Sequence, residues 1–507
     1  MRRNSRRRLP TAVAVALLAA GVPGTAEAHA IDDTFRLPVP LWLYLAAAAV
    51  AVAASFVVSI VAVRPATANP RYRRWTVPRV PARVLSVLLA LLGLAWWFGA
   101  IWVAYTVGDI TQLPAVLFWV GLPITAILLG NPWPSLSPFR TVHGVLEWLA
   151  RLVRVRRLDL GLPYPPRAAR WPAVFLLGAA IWCELVLPSS TAADRVGPIM
   201  VGYTMIAMLG MFAFGRVAWL RHAELFEVLL GWFGRIGPVG RRVTDPETCA
   251  GCELRCDPGR CVDCPECAAA AEPGERSAEL RPWLTGLTEV RRAGWSDAAL
   301  IVLALAGVTY DGMRETSLWG EALNATLPGA ADLVGPYFAV IVLDTLGLIG
   351  LWLAFFVVFV LACYLARLLN ARDTGRLPMG LVTGEYASTL LPIAAGYLLA
   401  HYATLLIQNA LFLPDLLRDP IASVAPTLDF IPVSAVWYTS VAAIVIGHIA
   451  AVILAHRIAL RDAPGHPIIA GLPLVVLMIG YTILSLWIIA QPIALEPDAM
   501  PVSLLLR

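Results

Sequence analysis

Six cysteines form the densest set of soft metal ligands in the chain. They occupy 19 residues with the spacing C-x2-C-x3-C-x4-C-x2-C-x2-C, as Cys249, Cys252, Cys256, Cys261, Cys264 and Cys267. Thiolates this close repel one another unless a cation holds them, and soft metals favour sulfur ligands. The C-x2-C pairs suit tetrahedral zinc, and the run from Cys261 partly matches the ligand spacing of ferredoxin iron–sulfur clusters. The segment predicts a metal site, with zinc and an iron–sulfur cluster as the alternatives.

Four titratable residues stand out in or at the end of long apolar runs, where ionisable side chains are costly and mark function. They are Asp344, His401, His448 and, at the cytoplasmic rim, His456, while Glu184 near the outer end of the fourth run is expected to reach interfacial water. A helical rise of about 1.5 Å per residue puts Asp344 roughly 10 Å, His401 roughly 15 Å and His448 roughly 22 Å below the outer ends of their runs. These depths predict that Asp344 and His401 share a site in the outer half of the bundle, and that His448 meets His401 near the middle.

Three interpretations of this intramembrane site stay open. His401 and His448 could ligate one b-type haem between neighbouring helices. Asp344, His401 and His448 could instead form a path for a metal ion or a proton, as in a permease. Each histidine could also simply hydrogen-bond a neighbouring helix.

The first 28 residues have the pattern of a secretory signal peptide. Arginines precede an apolar run from Leu9 to Ala20, and Ala26-Glu27-Ala28 provides a small-x-small cleavage sequence. Cleavage after Ala28 is expected, with an uncleaved anchor as the alternative. His29 would then offer an amine and an imidazole together, which makes it a candidate external copper ligand; the alternative is an ordinary chain terminus.

The composition of the chain predicts that most of it lies in an apolar environment. Of the 507 residues, 59% are hydrophobic and 14% charged, against about 45–50% and 25% in soluble domains. This excludes a soluble enzyme or a nucleic-acid-binding module. Ten apolar runs long enough to cross a bilayer follow the signal: Leu41–Val63, Val84–Thr106, Leu113–Leu129, Pro172–Leu187, Gly197–Gly215, Trp295–Tyr310, Tyr337–Ala366, Ser388–Leu411, Val433–Ala455 and Ile468–Ala490. Because lipid cannot hydrogen-bond the backbone, the prediction is an all-α polytopic transmembrane bundle.

The arginines predict the orientation of this bundle. All 39 basic residues are arginines; 29 fall in segments predicted to be inside, five outside and five in the signal peptide. The positive-inside rule therefore favours a prokaryotic plasma-membrane protein with both mature termini outside and the cysteines in the cytoplasm. The lipid bilayer is the only partner that the sequence predicts.

The predicted organisation has four parts. Residues 1–28 are the signal peptide, and 29–215 hold helices one to five with a cytoplasmic amphipathic helix at 141–155. Residues 216–294 form a cytoplasmic segment with an interfacial helix over Arg216–Arg235 and the cysteine insertion. Residues 295–507 hold helices six to ten. Two polar stretches, 311–334 and 412–432, are predicted outer loops.

Several motifs resemble a group of prokaryotic polytopic membrane proteins labelled fenitrothion hydrolase. The resemblance covers most of the chain outside the cysteine segment and is carried by His29 with Leu37–Tyr44, Thr309-Tyr310-Asp311-Gly312, Ala400-His401-Tyr402, and Trp437-Tyr438 through Gly447-His448 to Ala455-His456. It implies hydrolysis of an organophosphate ester. Such sites usually clamp two metal ions between several histidines and carboxylates, whereas Asp344, His401 and His448 supply three ligands at most. Because the sequence contains no recognised hydrolase motif, enzymatic activity stays open.

Overall fold

The computed structural model describes residues 35–63, 72–75, 79–106, 117–155, 157–187, 193–243, 261–270, 276–289, 293–369, 377–418, 427–463 and 465–495. The predicted signal peptide, His29, Cys249, Cys252 and Cys256 lie outside these ranges.

Helices make up most of the described chain, which confirms the predicted all-α class. In chain order they are α1 (Leu41–Ala62), α2 (Arg79–Thr106), α3 (Gly121–Leu128), α4 (Trp133–Leu136), α5 (Pro138–Leu152), α6 (Trp171–Leu185), α7 (Ala193–Phe214), α8 (Arg216–His222), α9 (Leu225–Phe233), α10 (Pro265–Ala270), α11 (Thr285–Thr288), α12 (Trp295–Arg314), α13 (Ser317–Val334), α14 (Pro336–Leu369), α15 (Met379–Ala387), α16 (Leu391–Arg418), α17 (Val433–Asp462) and α18 (Pro467–Ile493). The strands are β1 (Phe35–Arg36), β2 (Arg73–Trp75), β3 (Val239–Val243), β4 (Cys261–Val262), β5 (Arg276–Leu280) and β6 (Ala494–Leu495).

Eight helical segments of the described chain are long and apolar enough to cross a membrane. They are α1, most of α2 and of α7, α12, α14, the joined α15–α16 from Met379 to Asp415, α17 and most of α18. Two shorter apolar helices, Leu117–Leu128 and Trp171–Leu185, fall in the predicted third and fourth runs. The chain is therefore a helical membrane protein, and each of the ten predicted runs contains a helix.

Burial distinguishes a central helix from peripheral ones. In α12, 83% of the most apolar 18-residue window is buried, against 17–28% in α1, α2, α7 and α14. Helices α6, α14, α15, α16 and α18 pack around α12. The peripheral helices expose large apolar side chains such as Val61, Leu85 and Leu346, as lipid-facing surfaces do. Ionisable groups on α12 and α16 are thus held away from lipid.

Two glycines let α16 and α17 approach closely. A Cβ atom on Gly447 would lie 2.5 Å from the carbonyl oxygen of Pro392, and one on Gly396 would lie 2.5 Å from that of Ala443. Membrane helices commonly use small residues for such backbone contact. The contact fixes the level at which these two helices cross.

A small antiparallel sheet, which the sequence did not predict, carries the end of the cysteine segment. Its strand order is β2-β5-β3-β4, and Val243 pairs with Cys261. Arg242 donates to both oxygens of Glu279 at 2.7 and 3.0 Å and to Glu289 at 2.9 Å. Burial would lower the pKa of Arg242, but the hydrogen bonds of Glu279 and the charge of Glu289 outweigh it and raise that pKa. The paired charges link β3 to β5.

The predicted interfacial helix over Arg216–Arg235 is wrong in its second half. The helix breaks at Ala223, and α9 is almost entirely buried. Glu224 caps α9 by accepting from the backbone N–H groups of Phe226 and Glu227, and Trp133 donates to the same carboxylate at 3.0 Å. Since α9 is apolar on most sides, it packs into the core instead of lying on a surface.

The predicted outer loop at 311–334 is also wrong. Helix α12 continues to Arg314, and Ser317–Val334 forms α13, which has no buried residues. Thr316 caps α13 through the backbone N–H of Trp319, a local signal that the polar composition obscured. The segment 141–155, predicted as an amphipathic helix, is largely covered by α5, in which Val145, Trp148 and Leu152 are exposed.

Candidate intramembrane site

A carboxylate and an imidazole meet between the two most buried membrane helices. Asp311 Oδ2 on α12 lies 3.1 Å from His401 Nε2 on α16. The His401 side chain is 1% exposed and that of Asp311 17%. Removing two ionisable groups from water costs free energy unless they interact with each other by charge or by a hydrogen bond. The pair is the centre of the candidate site.

Two tyrosines of α16 complete the surroundings of this pair. The Tyr402 hydroxyl donates to the same Asp311 oxygen, and its ring contacts the His401 imidazole edge-on at 4.7 Å. The Tyr397 ring lies 5.8 Å from the imidazole. A Cβ atom on Gly312 would be 2.3 Å from the Tyr397 hydroxyl, so glycine at this position allows α12 and α16 to meet.

A second carboxylate approaches from α6. Glu184 lies close enough to Asp311 and Tyr402 for their charges to interact, and its side chain is hydrogen-bonded by Trp119. The site therefore gathers two acidic groups, one imidazole and two phenols from three helices. Such a set can accept, hold and release protons.

Asp344 has surroundings of its own. Tyr310 donates to its backbone oxygen at 2.9 Å and to Oδ1 at 3.1 Å, and Arg314 lies 3.5 Å from Oδ2. These contacts tie α14 to the end of α12 and neutralise the carboxylate. The structure therefore places Asp344 with Tyr310 and Arg314, while Asp311 is the acidic partner of His401.

His448 is likewise separate from His401. Its Nδ1 is 2.8 Å from the Ile444 carbonyl oxygen of its own helix, and the residue is 1% exposed. Ser440 donates to the carbonyl of Ala400 at 3.1 Å, which puts His401 level with Ser440. His448 lies eight residues farther along α17, roughly 12 Å away.

This arrangement disfavours a haem ligated by both histidines. Two imidazoles on one iron must face each other at a common level, whereas these two differ by about two helical turns. The backbone contact at Gly396 and Gly447 also closes the space between the two helices.

Asp311 and Tyr402 are the site residues that the sequence interpretation missed. Asp311 follows directly on the apolar run that was predicted to end at Tyr310, and was placed in a loop. One more helical turn, to Arg314, brings Asp311 onto the buried side of α12. The motif Thr309-Tyr310-Asp311-Gly312, whose glycine permits the contact with Tyr397, was the available signal.

The described part of the cysteine segment lies at one end of the sheet. Cys264 and Cys267 are 7% and 4% exposed; Cys264 directly precedes α10, and Cys267 lies in its first turn. Arg281 donates to Asp263, in the connection between β4 and α10, at 2.6 Å. Within the described ranges, no three histidine, cysteine or acidic side chains are grouped so that they could hold a metal ion. Cys249, Cys252 and Cys256 are outside those ranges.

Comparison with protein-family models, curated proteins and solved structures finds no match to this chain.

Proposed function

We propose that the protein is a proton-coupled permease for a small cation, with Asp311 and His401 as its proton-carrying pair. The observation that carries the proposal is the 3.1 Å contact between these two side chains inside the bundle. A buried carboxylate–imidazole pair can exchange a proton without leaving a lone charge in a low-dielectric interior. Intramembrane pairs of this type mark ion pathways and proton relays.

The neighbouring groups support a cation as the solute. Glu184 adds a second acidic side chain beside Asp311, and the Tyr402 hydroxyl adds an oxygen on the same side. The Asp311 side chain is 17% exposed while His401 is 1% exposed, so the pair has a more open side and a closed side. In the orientation that the arginine distribution predicts, Asp311 lies near the outer end of α12.

The alternatives receive less support from this geometry. A haem bridged by His401 and His448 requires a common level that the helices do not provide. Phosphotriester hydrolysis usually requires two clamped metal ions, and Asp344 is engaged by Arg314. The resemblance to fenitrothion hydrolases is tested directly by incubating purified, metal-supplemented protein with fenitrothion. Release of the nitrophenol would favour the hydrolase over the permease.

The permease proposal is tested in proteoliposomes that contain a pH-sensitive dye. With Mn²⁺, Zn²⁺ and Na⁺ offered in turn, at least one cation should drive proton movement in the wild type. Asp311→Asn and His401→Gln should abolish this movement. Asp332→Asn, on an exposed residue of α13, is the matched control and should retain it. Equal signals from the wild type, Asp311→Asn and empty liposomes would refute the proposal.

We further propose that the six cysteines bind zinc or an iron–sulfur cluster on the cytoplasmic side. The buried Cys264 and Cys267 at the end of the sheet support this proposal, since a C-x2-C pair on a turn is a common half-site. Elemental analysis and an absorption spectrum of anaerobically purified protein distinguish the two metals. Cys264→Ser should lose the metal, whereas Cys363→Ser, a buried cysteine of α14, should keep it. Wild-type protein free of both zinc and iron would contradict this proposal.

A further inference from the structure

A cavity of about 350 Å³ lies at the end of α7 that the arginine distribution assigns to the cytoplasm. The segment before α6 crosses this helix end, because Leu160 and Leu162 donate backbone hydrogen bonds to the carbonyls of Phe212 and Ala213 at 2.7 and 3.1 Å. Those carbonyls belong to the last turn of α7 and need donors from outside the helix. Gly215, with φ of +84°, turns the chain from α7 into α8. The cavity opens to the surface and is bordered by this turn and the crossing segment.

The cavity wall carries charges of both signs. Arg221 and His222 line it from the last turn of α8, and Asp159 lines it from the crossing segment. Asp159 Oδ1 accepts from the backbone N–H of Gly161 at 2.9 Å, which fixes its carboxylate. The Tyr164 ring stacks on the His222 imidazole at 5.1 Å and fixes the other wall. An anion alone would meet the Asp159 carboxylate, and a cation alone would meet Arg221.

Apolar side chains surround the cavity at the surface. Leu160 and Leu162 are 76% and 48% exposed, and Val217, which lines the cavity, is 45% exposed. Apolar exposure of this extent at the end of a spanning helix fits the region where lipid headgroups meet acyl chains. The occupant should therefore have a zwitterionic head and an apolar tail.

We propose that this cavity binds the headgroup of phosphatidylethanolamine. The lipid phosphate lies against Arg221 and His222, its ammonium group lies against Asp159, and its acyl chains cover Leu160, Leu162 and Val217. The two charges of a zwitterionic headgroup match the opposite charges of this wall together, which a singly charged headgroup does not. A cavity of this size is within the range that holds small polar ligands. The proposal is independent of the permease proposal, because it involves neither Asp311 nor His401.

Native mass spectrometry of the detergent-purified full chain, titrated with phosphatidylethanolamine or phosphatidylglycerol, tests the assignment. The wild type should bind at least one phosphatidylethanolamine, with at least tenfold preference over phosphatidylglycerol. Arg221→Gln should weaken binding of phosphatidylethanolamine at least tenfold. Asp159→Asn should lose the preference, because the ammonium group then has no carboxylate partner. Arg151→Gln, on an arginine that is 75% exposed, is the matched control and should leave binding unchanged.

Three results would overturn the proposal. The first is equal binding of the two lipids by the wild type, which indicates a nonselective lipid shell. The second is a loss in Arg151→Gln as large as that in Arg221→Gln, which indicates general surface charge. A soluble competitor, phosphoethanolamine, identifies the source of the ligand. It should not displace the lipid at equal concentration, and displacement would assign the cavity to a soluble zwitterion instead.

Discussion

His401 and Asp311 face each other across α12 and α16 with 3.1 Å between Nε2 and Oδ2. The two residues are 90 positions apart in the chain, and each lies on a helix that the structure buries more deeply than its neighbours. This contact defines the candidate site, and other side chains belong to the site only if they contact the pair. Tyr402 shares the Asp311 oxygen, whereas Asp344 and His448 are bound elsewhere.

Replacing Tyr402 with phenylalanine should weaken the site without destroying it. The change removes a hydrogen bond to an ionisable acceptor, a loss of about 1.5–3 kcal/mol in the free energy of unfolding. The Asp311–His401 contact stays in place, so proton movement in proteoliposomes should fall but persist. Tyr337→Phe, on a residue that is 49% exposed, is the control. Complete loss of proton movement in Tyr402→Phe would give the hydroxyl a larger role than the geometry assigns.

Asp344→Asn should affect stability more than transport. The substitution removes a charge that pairs with Arg314 at 3.5 Å and accepts from Tyr310. Because the Arg314 side chain is 22% exposed, water can partly solvate it, and we expect a loss of about 1–3 kcal/mol. Thermal unfolding in detergent should show a lower Tm, while proton movement is retained. A variant of wild-type stability that transports nothing would restore Asp344 to the functional site.

Gly447→Ala should destabilise the crossing of α16 and α17. The added Cβ atom would lie 2.5 Å from the Pro392 carbonyl oxygen, and relief of such a clash typically costs about 1–3 kcal/mol. Gly480→Ala is a matched control, since a Cβ atom there meets nothing within 4 Å. Alanine favours a helix over glycine by about 1 kcal/mol, so the control should be neutral or stabilising. Equal Tm values for the two variants would contradict the close crossing.

Glu279→Gln should loosen the small sheet. It breaks a two-point contact with Arg242 in which both side chains are nearly inaccessible, and disruption of buried pairs costs about 3–5 kcal/mol. Hydrogen exchange of the β3 and β5 amides should accelerate strongly. Arg74 also pairs with the Glu279 carboxylate, but the Arg74 side chain is 39% exposed. Arg74→Gln should therefore change the rate of hydrogen exchange far less. If both variants exchange at the same rate, the network does not hold the sheet.

The stability of the α5 region should depend on pH through His143. Burial lowers the pKa of His143, and the charge of Glu147 at 3.2 Å opposes this only in part, while Arg216 adds to it and Asp159 opposes it. The unfolded chain then binds more protons than the folded one as the pH falls below about 6.5. Stability present above that pH is lost as the pH falls through the lower folded-state pKa. The fall in Tm between pH 7.5 and 5 should be smaller in His143→Gln, but not in His466→Gln, whose histidine is exposed.

Membrane insertion and helix positions were readable from the sequence because they depend on local composition. A run of about twenty apolar residues must be helical in lipid whatever surrounds it. All ten predicted runs contain helices in the structure. Helix α13 was missed because its polar composition resembled a loop, and the sheet was missed because its strands are distant in the sequence. Strand β2 pairs with β5 across more than 200 residues, which no local pattern reports.

The sequence by itself therefore determined the class of the protein and the residues worth testing, His401 among them. Only the tertiary structure decided that Asp311 pairs with His401 and that Arg314 pairs with Asp344. It also decided that His448 contacts a carbonyl oxygen of its own helix. Hydropathy specifies how deep a residue lies but not which way its helix faces. The rotation of each helix about its own axis is set by close contacts such as those of Gly312, Gly396 and Gly447. Small residues let particular helix faces meet, and this determines which polar side chains become partners.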